Sequence, residues 1–469
     1  MPAIVDQYSR PVALSQMPRR KLTRPVSARY DAAQTNADNR NHWGAADALS
    51  ADAAASSSIR AILRKRSRYE TENNCYARGI VNTLANDTIG TGPRLQMLTD
   101  SATVNRDVER DFASWCLAVS LPAKLRTMRR ARATDGEAFA IMASNPNLKH
   151  DVKLDLRLAE AERVTSGYLS QAESNDHDGI LTDAYGNPVS YRVLRHHPGG
   201  AYGMTFSEDA DNVAAEFVLH WLNHGRPEQH RGIPELTPAL PLFAQLRRYT
   251  RAVLGAAESA ADFAAVMYAE NPAEDDDVPL PAALDEVELT RNMMLTLPAG
   301  WKLGQMDPKQ PSATYAEFKH ELVNEIARCF NMPFNIASGN SAGYNYASGR
   351  LDHQTYFRAI RVDQDEAESV VLDRILVAWL REYWLVKNLF VAPGHAWFWA
   401  GHEHVDPAKE ATAQAKRLAS RTTTLYAEYA TAGKDWEKET DQWEREQIRI
   451  AQGMKRISEA GPQQEADNG

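Results

Sequence analysis

Cysteine is scarce in this chain of 469 residues: Cys75, Cys116 and Cys329 lie far apart and form no CxxC pair. That excludes a disulfide framework and a zinc ribbon, and it fits a reducing, cytosolic origin. No apolar run is long enough to span a bilayer, and the N-terminus has basic residues without a hydrophobic signal core. The expectation is a protein made and used in solution, without a membrane partner. No GxSxG elbow occurs, and no stretch assembles nucleophile, base and oxyanion donor. A non-enzyme without cofactor or bound metal is expected.

Positive charge is missing from one long stretch. From Ala252 to Thr290 there are ten acids and no Lys or Arg: Glu258, Asp262, Glu270, Glu274, Asp275, Asp276, Asp277, Asp285, Glu286 and Glu288. The formal net charge of −9 argues against a coat that binds nucleic acid through overall positive charge, but leaves local basic surfaces open. Residues 1–29 read as a basic disordered arm, with Arg10, Arg19, Arg20, Lys21, Arg24 and Arg29 against Asp6. A second basic cluster, Arg60, Arg64, Lys65, Arg66 and Arg68, reads as a solvated helix face.

The 43% hydrophobic content fills cores for two to four packed units. Ser58 is read as the cap of a helix starting near Ile59, a second helix spans Asn73 to Thr88, and a third Ala102 to Ala118. "EAFAIMAS", "KLDLRLAE", "PVSYRVLR" and "AEFVLHWL" alternate like strands between turn signals, so 30–234 reads as a mixed α+β unit. Then Leu242, Leu246, Tyr249, Val253, Ala256, Ala260, Phe263 and Met267 recur at helical spacing, a rod of roughly 38 Å. A proline-marked acidic excursion follows it. "SATYAEFKHELVNEIARCF" returns as an amphipathic helix with Phe318, Leu322, Ile326 and Phe330 on one side, and a long aromatic-rich helix and further charged helices end the chain.

"GNSAGYNYASGR", Gly339 to Arg350, has a phosphate-cradling composition. A P-loop needs Lys and Ser/Thr after its last glycine, but Arg350 and Leu351 follow Gly349. It reads as an interhelical loop. "GHEHVDP" offers His402, Glu403, His404 and Asp406, but histidines at i and i+2 lack the i, i+4 spacing that turns both to one metal on a helix. His196 and His197 precede a turn without a partner pattern. In "DGE", Asp135 to Glu137, strand geometry keeps the two carboxylates from flanking one bond.

The order of these pieces resembles the portal proteins of tailed double-stranded DNA phages, in the lambda-like branch. "YDAAQTNADNRNHW", "LRKRSRYETENNCYARGIVNTLANDTIGTGP", "GNPVSYRV", "RPEQHRGIPEL", "NYASGR" and "VDPAKEATAQAKRL" carry the resemblance, from about Tyr30 to Trp443. Two positions depart from it: Glu228 stands where the family tends to have glycine, and Gly349 where alanine is more usual.

The resemblance implies a helix-rich α+β portal fold: wing 30–234, first stem helix 235–270, small α/β clip 271–311, second stem helix 312–331, tunnel loop and long wing helix 332–399, crown and polar tail 400–469. It implies a ring, typically a dodecamer, at one capsid vertex, assembled in the host bacterial cytoplasm and carried in the virion. Implied partners are double-stranded DNA in transit, the terminase large subunit, major capsid and scaffold proteins, and head-tail connector proteins. The tunnel loop would present Asn340, Ser341, Tyr344, Asn345 and Tyr346 to DNA, and Glu274, Asp275, Asp276, Asp277, Asp285, Glu286 and Glu288 would form an acidic stem and clip surface. Another phage head or adaptor protein and a metal-dependent hydrolase built on the "GHEHVD" string are the alternatives.

Overall fold

The computed structural model describes residues 40–166, 175–200, 209–262, 266–269, 301–304, 314–390, 394–401 and 407–460. The chain divides into two units, 1–50 and 51–469. Of the first, only a turn around Trp43 is described, closed by the Ala46 N–H donating to the Trp43 carbonyl at 3.0 Å. The elements lie in the second unit.

It opens with α1 (Ala51–Ala54), α2 (Ser57–Asn73) and α3 (Cys75–Ile89). Asn74 separates the last two: its backbone is extended, and its side chain caps α3 by accepting from the N–H of Tyr76 at 3.0 Å. α2 begins at Ser57, ahead of the expected cap; Ser56 takes that position without a side-chain cap bond. Then come β1 (Arg94–Met97), α4 (Ala102–Ala118) and α5 (Leu121–Asp135). α5 was not legible. The chain reverses through a single left-handed residue, Ser120 (φ 55°), with Pro122 in the first turn of the helix, so no loop-like stretch marks the break.

β2 (Glu137–Ser144), β3 (Leu154–Ala159), β4 (Ile180–Thr182), β5 (Pro188–Leu194), β6 (Ala210–Ala214) and β7 (Val218–Leu222) form two antiparallel sheets, ordered β3-β2-β7 and β4-β5-β6. β2 is buried on both faces and sorts its side chains with period two. Ala138, Ala140 and Met142 join a core with Trp115 of α4, Leu125 of α5 and Trp221, while Phe139 and Ile141 meet Ile180, Tyr191 and Val193 of the second sheet. The Trp115 indole donates to the Leu154 carbonyl at 2.8 Å, so this large ring is buried without an orphaned N–H.

α6 (Leu240–Asp262) is followed by the antiparallel pair β8 (Val266–Ala269) and β9 (Trp301–Gly304). Met267 therefore stands in a strand, not on the helical seam: the helix expected over 235–270 starts at Leu240 and gives way to strand before 270. Only its first turns are buried, through Leu240, Phe243 and Leu246; Tyr249 and Val253 are half-buried and Leu254 is exposed. α7 (Thr314–Arg328) buries Leu322 and Ile326, and Phe330 beyond its end, but leaves Phe318 half exposed against Tyr249, with ring centroids 4.7 Å apart. α8 (Phe334–Ser338), α9 (Tyr346–Ala367) and α10 (Asp373–Lys387) follow, the last two joined by a π-helical segment, Glu368–Leu372. α3, α6, α7, α8 and α9 share a second core around Ile80, Leu84, Phe243, Ile326 and Tyr356. Each large side chain so buried stabilises the fold by roughly 1.5–3 kcal/mol.

β10 (His395–Phe398) returns to pair antiparallel with β1, tying 395–398 to the N-terminal α+β part by backbone hydrogen bonds. α11 (Pro407–Ala419), α12 (Leu425–Thr431) and α13 (Trp436–Ala460) end the described chain. Among the described residues no helix is long and apolar enough to cross a membrane.

Candidate nucleic-acid interface

The glycine-rich stretch divides in two. Gly339 to Asn345 is a loop between α8 and α9, whereas Tyr346 to Arg350 form the first turn of α9, so the expected loop is shorter than the motif. Its course follows from local chemistry. Gly339 (φ 66°) and Gly343 (φ 81°) supply left-handed backbone, and the Asn340 side chain accepts from the Ala342 N–H at 2.9 Å, closing an Asx turn. The Asn340 N–H donates back to the Asn335 carbonyl at 3.1 Å. Asn340, Ser341 and Asn345 are exposed, and Tyr344 is half-buried with its hydroxyl 3.4 Å from Asp352. Burial and the nearby Asp352 charge push the Tyr344 phenol upward, so it stays neutral near pH 7. The loop thus offers polar, uncharged groups, with exposed Arg350 and Asp352 one turn into the helix.

Gly349 explains its departure from alanine. A Cβ there would lie 3.0 Å from the Tyr344 ring, so glycine lets the tyrosine pack against the start of α9.

The basic cluster on α2 is not the solvated face expected. Arg60, Arg64 and Arg68 recur every fourth residue and turn inward together, leaving only Lys65 and Arg66 exposed. Arg60 pairs with Asp178 and donates to the Ala55 carbonyl; Arg64 reaches Glu162 at 3.2 Å; Arg68 binds Asp135 at 2.7 Å and Glu162 at 2.9 Å. Burial, with the neighbouring Arg231 charge, brings the Arg60 guanidinium down to about 10, still protonated at neutral pH. The spacing of four was the legible signal; what lay against it was not.

"DGE" and "RPEQHRG" meet at the centre of this network. Arg231 grips Glu137 with Nη2 at 2.7 Å from Oε1 and Nε at 3.0 Å from Oε2, the Gly232 N–H donates to Oε2 at 3.0 Å, and His220 Nε2 lies 3.2 Å from the same oxygen. Burial alone would raise the Glu137 carboxyl, but the Arg231 charge and the bonds from His220 and Arg231 hold it well below the ordinary range. Asp135 is the last residue of α5, not a strand residue, and turns away to Arg68, so the two carboxylates of "DGE" serve separate cations because a helix end and Gly136 part them, not because of strand geometry. Glu228, beside them in "RPEQHRG", has φ 59°: the backbone is left-handed where the family tends to have glycine.

The family model described as "Phage portal protein, lambda family" matches residues 38–364. The chain belongs to the lambda family of phage portal proteins. Its function is that of a portal, the ring at one vertex of a phage capsid. No curated protein matches it. Among solved structures it is similar to a chain from the neck of an empty GTA particle, at 14% identity over 78% of this chain and 92% of that one, with a TM-score of 0.45. A chain from the virion of a native gene transfer agent particle matches at 13% identity over 79% and 93%, TM-score 0.43. An HK97 family portal protein from Corynebacterium diphtheriae matches at 14% over 62% and 85%, TM-score 0.31.

Several residues expected in a portal's channel fall outside the described residues: Glu274, Asp275, Asp276, Asp277, Asp285, Glu286 and Glu288, as do 1–29 and the His402, Glu403, His404 and Asp406 string. Of Tyr346 only its place at the start of α9 is described. The His197 Nε2 lies 3.0 Å from Glu160, a contact that no sequence spacing marks. Sequence reasoning also passed over three residues that the portal chain brings together: Asp52, His177 and His230.

Proposed function

We propose that twelve copies of the chain close around a channel for duplex DNA, through which the genome is packaged and later ejected. The lambda-family match over 38–364 carries this reading. Two features support it. Loop 339–345 is exposed, hydrogen-bonded into one course and free of ionised side chains, which suits contact with a sliding polyanion better than arginines that would grip phosphates and release counterions. The distal turns of α6 leave the seam residue Val253 half-buried and its neighbour Leu254, off the seam, exposed, an apolar helix surface for a neighbouring subunit.

In this reading the loop faces DNA and the acidic segment from Glu274 to Glu288 lines the channel or its mouth, where it repels phosphates. Energy for translocation comes from a separate terminase ATPase, because the sequence has no P-loop. Terminase, scaffold, capsid and connector proteins dock on the outer surfaces. The chain itself is structural and acts in the particle.

Electron microscopy of the purified protein tests the ring: a closed dodecamer with a DNA-wide channel is expected, and a monomer or an open filament refutes it. Tyr344→Ala with Tyr346→Ala is expected to assemble normally but package or retain less DNA; a loop on the outer rim of the ring would sink that role. Changing Asp275, Asp276 and Asp277 to Lys should tighten DNA binding and steepen its salt dependence. An unchanged salt slope with lost terminase recruitment moves the triplet to a docking surface.

A further inference from the structure

Asp52 on α1, His177 in the turn before β4 and His230 in the "RPEQHRG" loop converge, although the histidines lie 125 and 178 residues beyond the aspartate. Both imidazoles aim Nδ1 at one carboxylate oxygen, Asp52 Oδ2, at 3.0 Å from His177 and 2.7 Å from His230. Their rings stack 3.6 Å apart at 14°. The other carboxylate oxygen accepts the backbone N–H of His230 at 3.0 Å, which fixes the aspartate's orientation.

We propose that Asp52, His177 and His230 form a binding site for one first-row divalent transition metal, zinc by its N₂O donor set. The chemistry fits. An imidazole that carries its proton on Nε2 presents an Nδ1 lone pair to a metal, and both rings already aim Nδ1 at the same point. A tetrahedral zinc with bonds of about 2.0–2.1 Å sets neighbouring ligand atoms roughly 3.3 Å apart, a few tenths beyond the present spacings. The three side chains are each 21–32% exposed, which leaves room for that opening and for water to complete the shell. His230 also lines a cleft of about 670 Å³, a path from solvent.

A rival cluster fails the same test. Glu160, Glu162 and His197 also converge, but Glu162 already accepts from Arg64 and Arg68, two fixed cations that oppose a third. Among the described residues no arginine pairs with the Asp52 carboxylate, which meets the two imidazoles and a backbone N–H instead. Bound metal would pin α1 to two loops of the α+β part, a staple at the start of the unit.

The test uses the full-length chain, stripped with chelator and titrated with zinc chloride alone, then with cobalt as a visible-absorption probe. One zinc per chain is expected, with a raised melting temperature. His177→Gln and His230→Gln should each weaken it by more than the roughly 10–100-fold that losing a supporting outer partner costs. His402→Ala with His404→Ala should retain it. The wild-type zinc absorption edge, which needs no variant to fold, should show two imidazoles and no sulfur. Absence of stoichiometric zinc at micromolar concentration, an edge spectrum with fewer than two imidazoles, or loss of zinc in the 402/404 variant alone overturns the site.

Discussion

Arg231 and Glu137 form a two-pronged ion pair with both side chains almost wholly buried, 94 positions apart in sequence. The carboxylate is saturated: besides Arg231 it accepts from Gly232 and meets His220. Removing one partner leaves the other charged and dry. Glu137→Gln or Arg231→Met should each cost about 3–5 kcal/mol, whereas replacing both by apolar residues of similar volume should cost less than the sum of the two. Denaturant unfolding of the four proteins measures this, and additive losses would show that the pair is not coupled.

The same pair sets an acid limit. The folded Glu137 carboxyl titrates below its ordinary 4.5, and burial, opposed by its bond to Glu137, brings the His220 imidazole below its ordinary 6.5. Both groups bind protons more readily once unfolded, so their stabilisation is complete above about pH 6.5 and is lost as pH falls, His220 first and Glu137 below about 4.5. His220→Asn should flatten the decline in melting temperature just below pH 6.5. A decline that is unchanged in this variant removes His220 from the account.

Gly136 and Gly232 touch where α5 hands over to β2. A Cβ on Gly232 would lie 2.1 Å from the Gly136 carbonyl oxygen, and one on Gly136 would lie 2.4 Å from Ile233 backbone. The obstacle is backbone on both sides and cannot rotate away. Gly232→Ala should therefore destabilise by about 3 kcal/mol or more, read by chemical denaturation, with Gly186→Ala as a control for left-handed strain in open space (φ 84°). An alanine variant as stable as the parent would mean the contact is looser than this.

Glu228 holds a left-handed backbone that costs a residue with a Cβ roughly 1–2 kcal/mol, part of which glycine would give back as unfolded-chain entropy. Glu228→Gly should raise stability by about 0.5–1 kcal/mol. A loss in melting temperature would indicate that the glutamate side chain does something the loop geometry does not require.

Much was written locally. Period-two apolar residues marked β2 to its exact limits, the 3.6-residue period marked α4 and the core face of α7, and flanking turn signals marked β3, β5 and β7. Where the signal was a single residue it failed: Ser120 ended one helix and began another, and the seam ran on to Met267 although strand pairing with Trp301–Gly304 had already taken over.

The sequence by itself determined the classes of element, the absence of a phosphate-gripping lysine in the glycine-rich loop and, through the order of its motifs, the family. Each rests on neighbours in the chain, whose spacing is the physical cause. Only the tertiary structure decided what became of the charges. Arg60, Arg64 and Arg68 share a helix face in any environment, but whether that face meets water or carboxylates depends on Asp135, Glu137, Glu162 and Asp178, brought from 67 to 118 positions away. The convergence of Asp52, His177 and His230 is of the same kind. Electrostatic partners act through space over a few ångströms, and the fold alone sets which residues come that close.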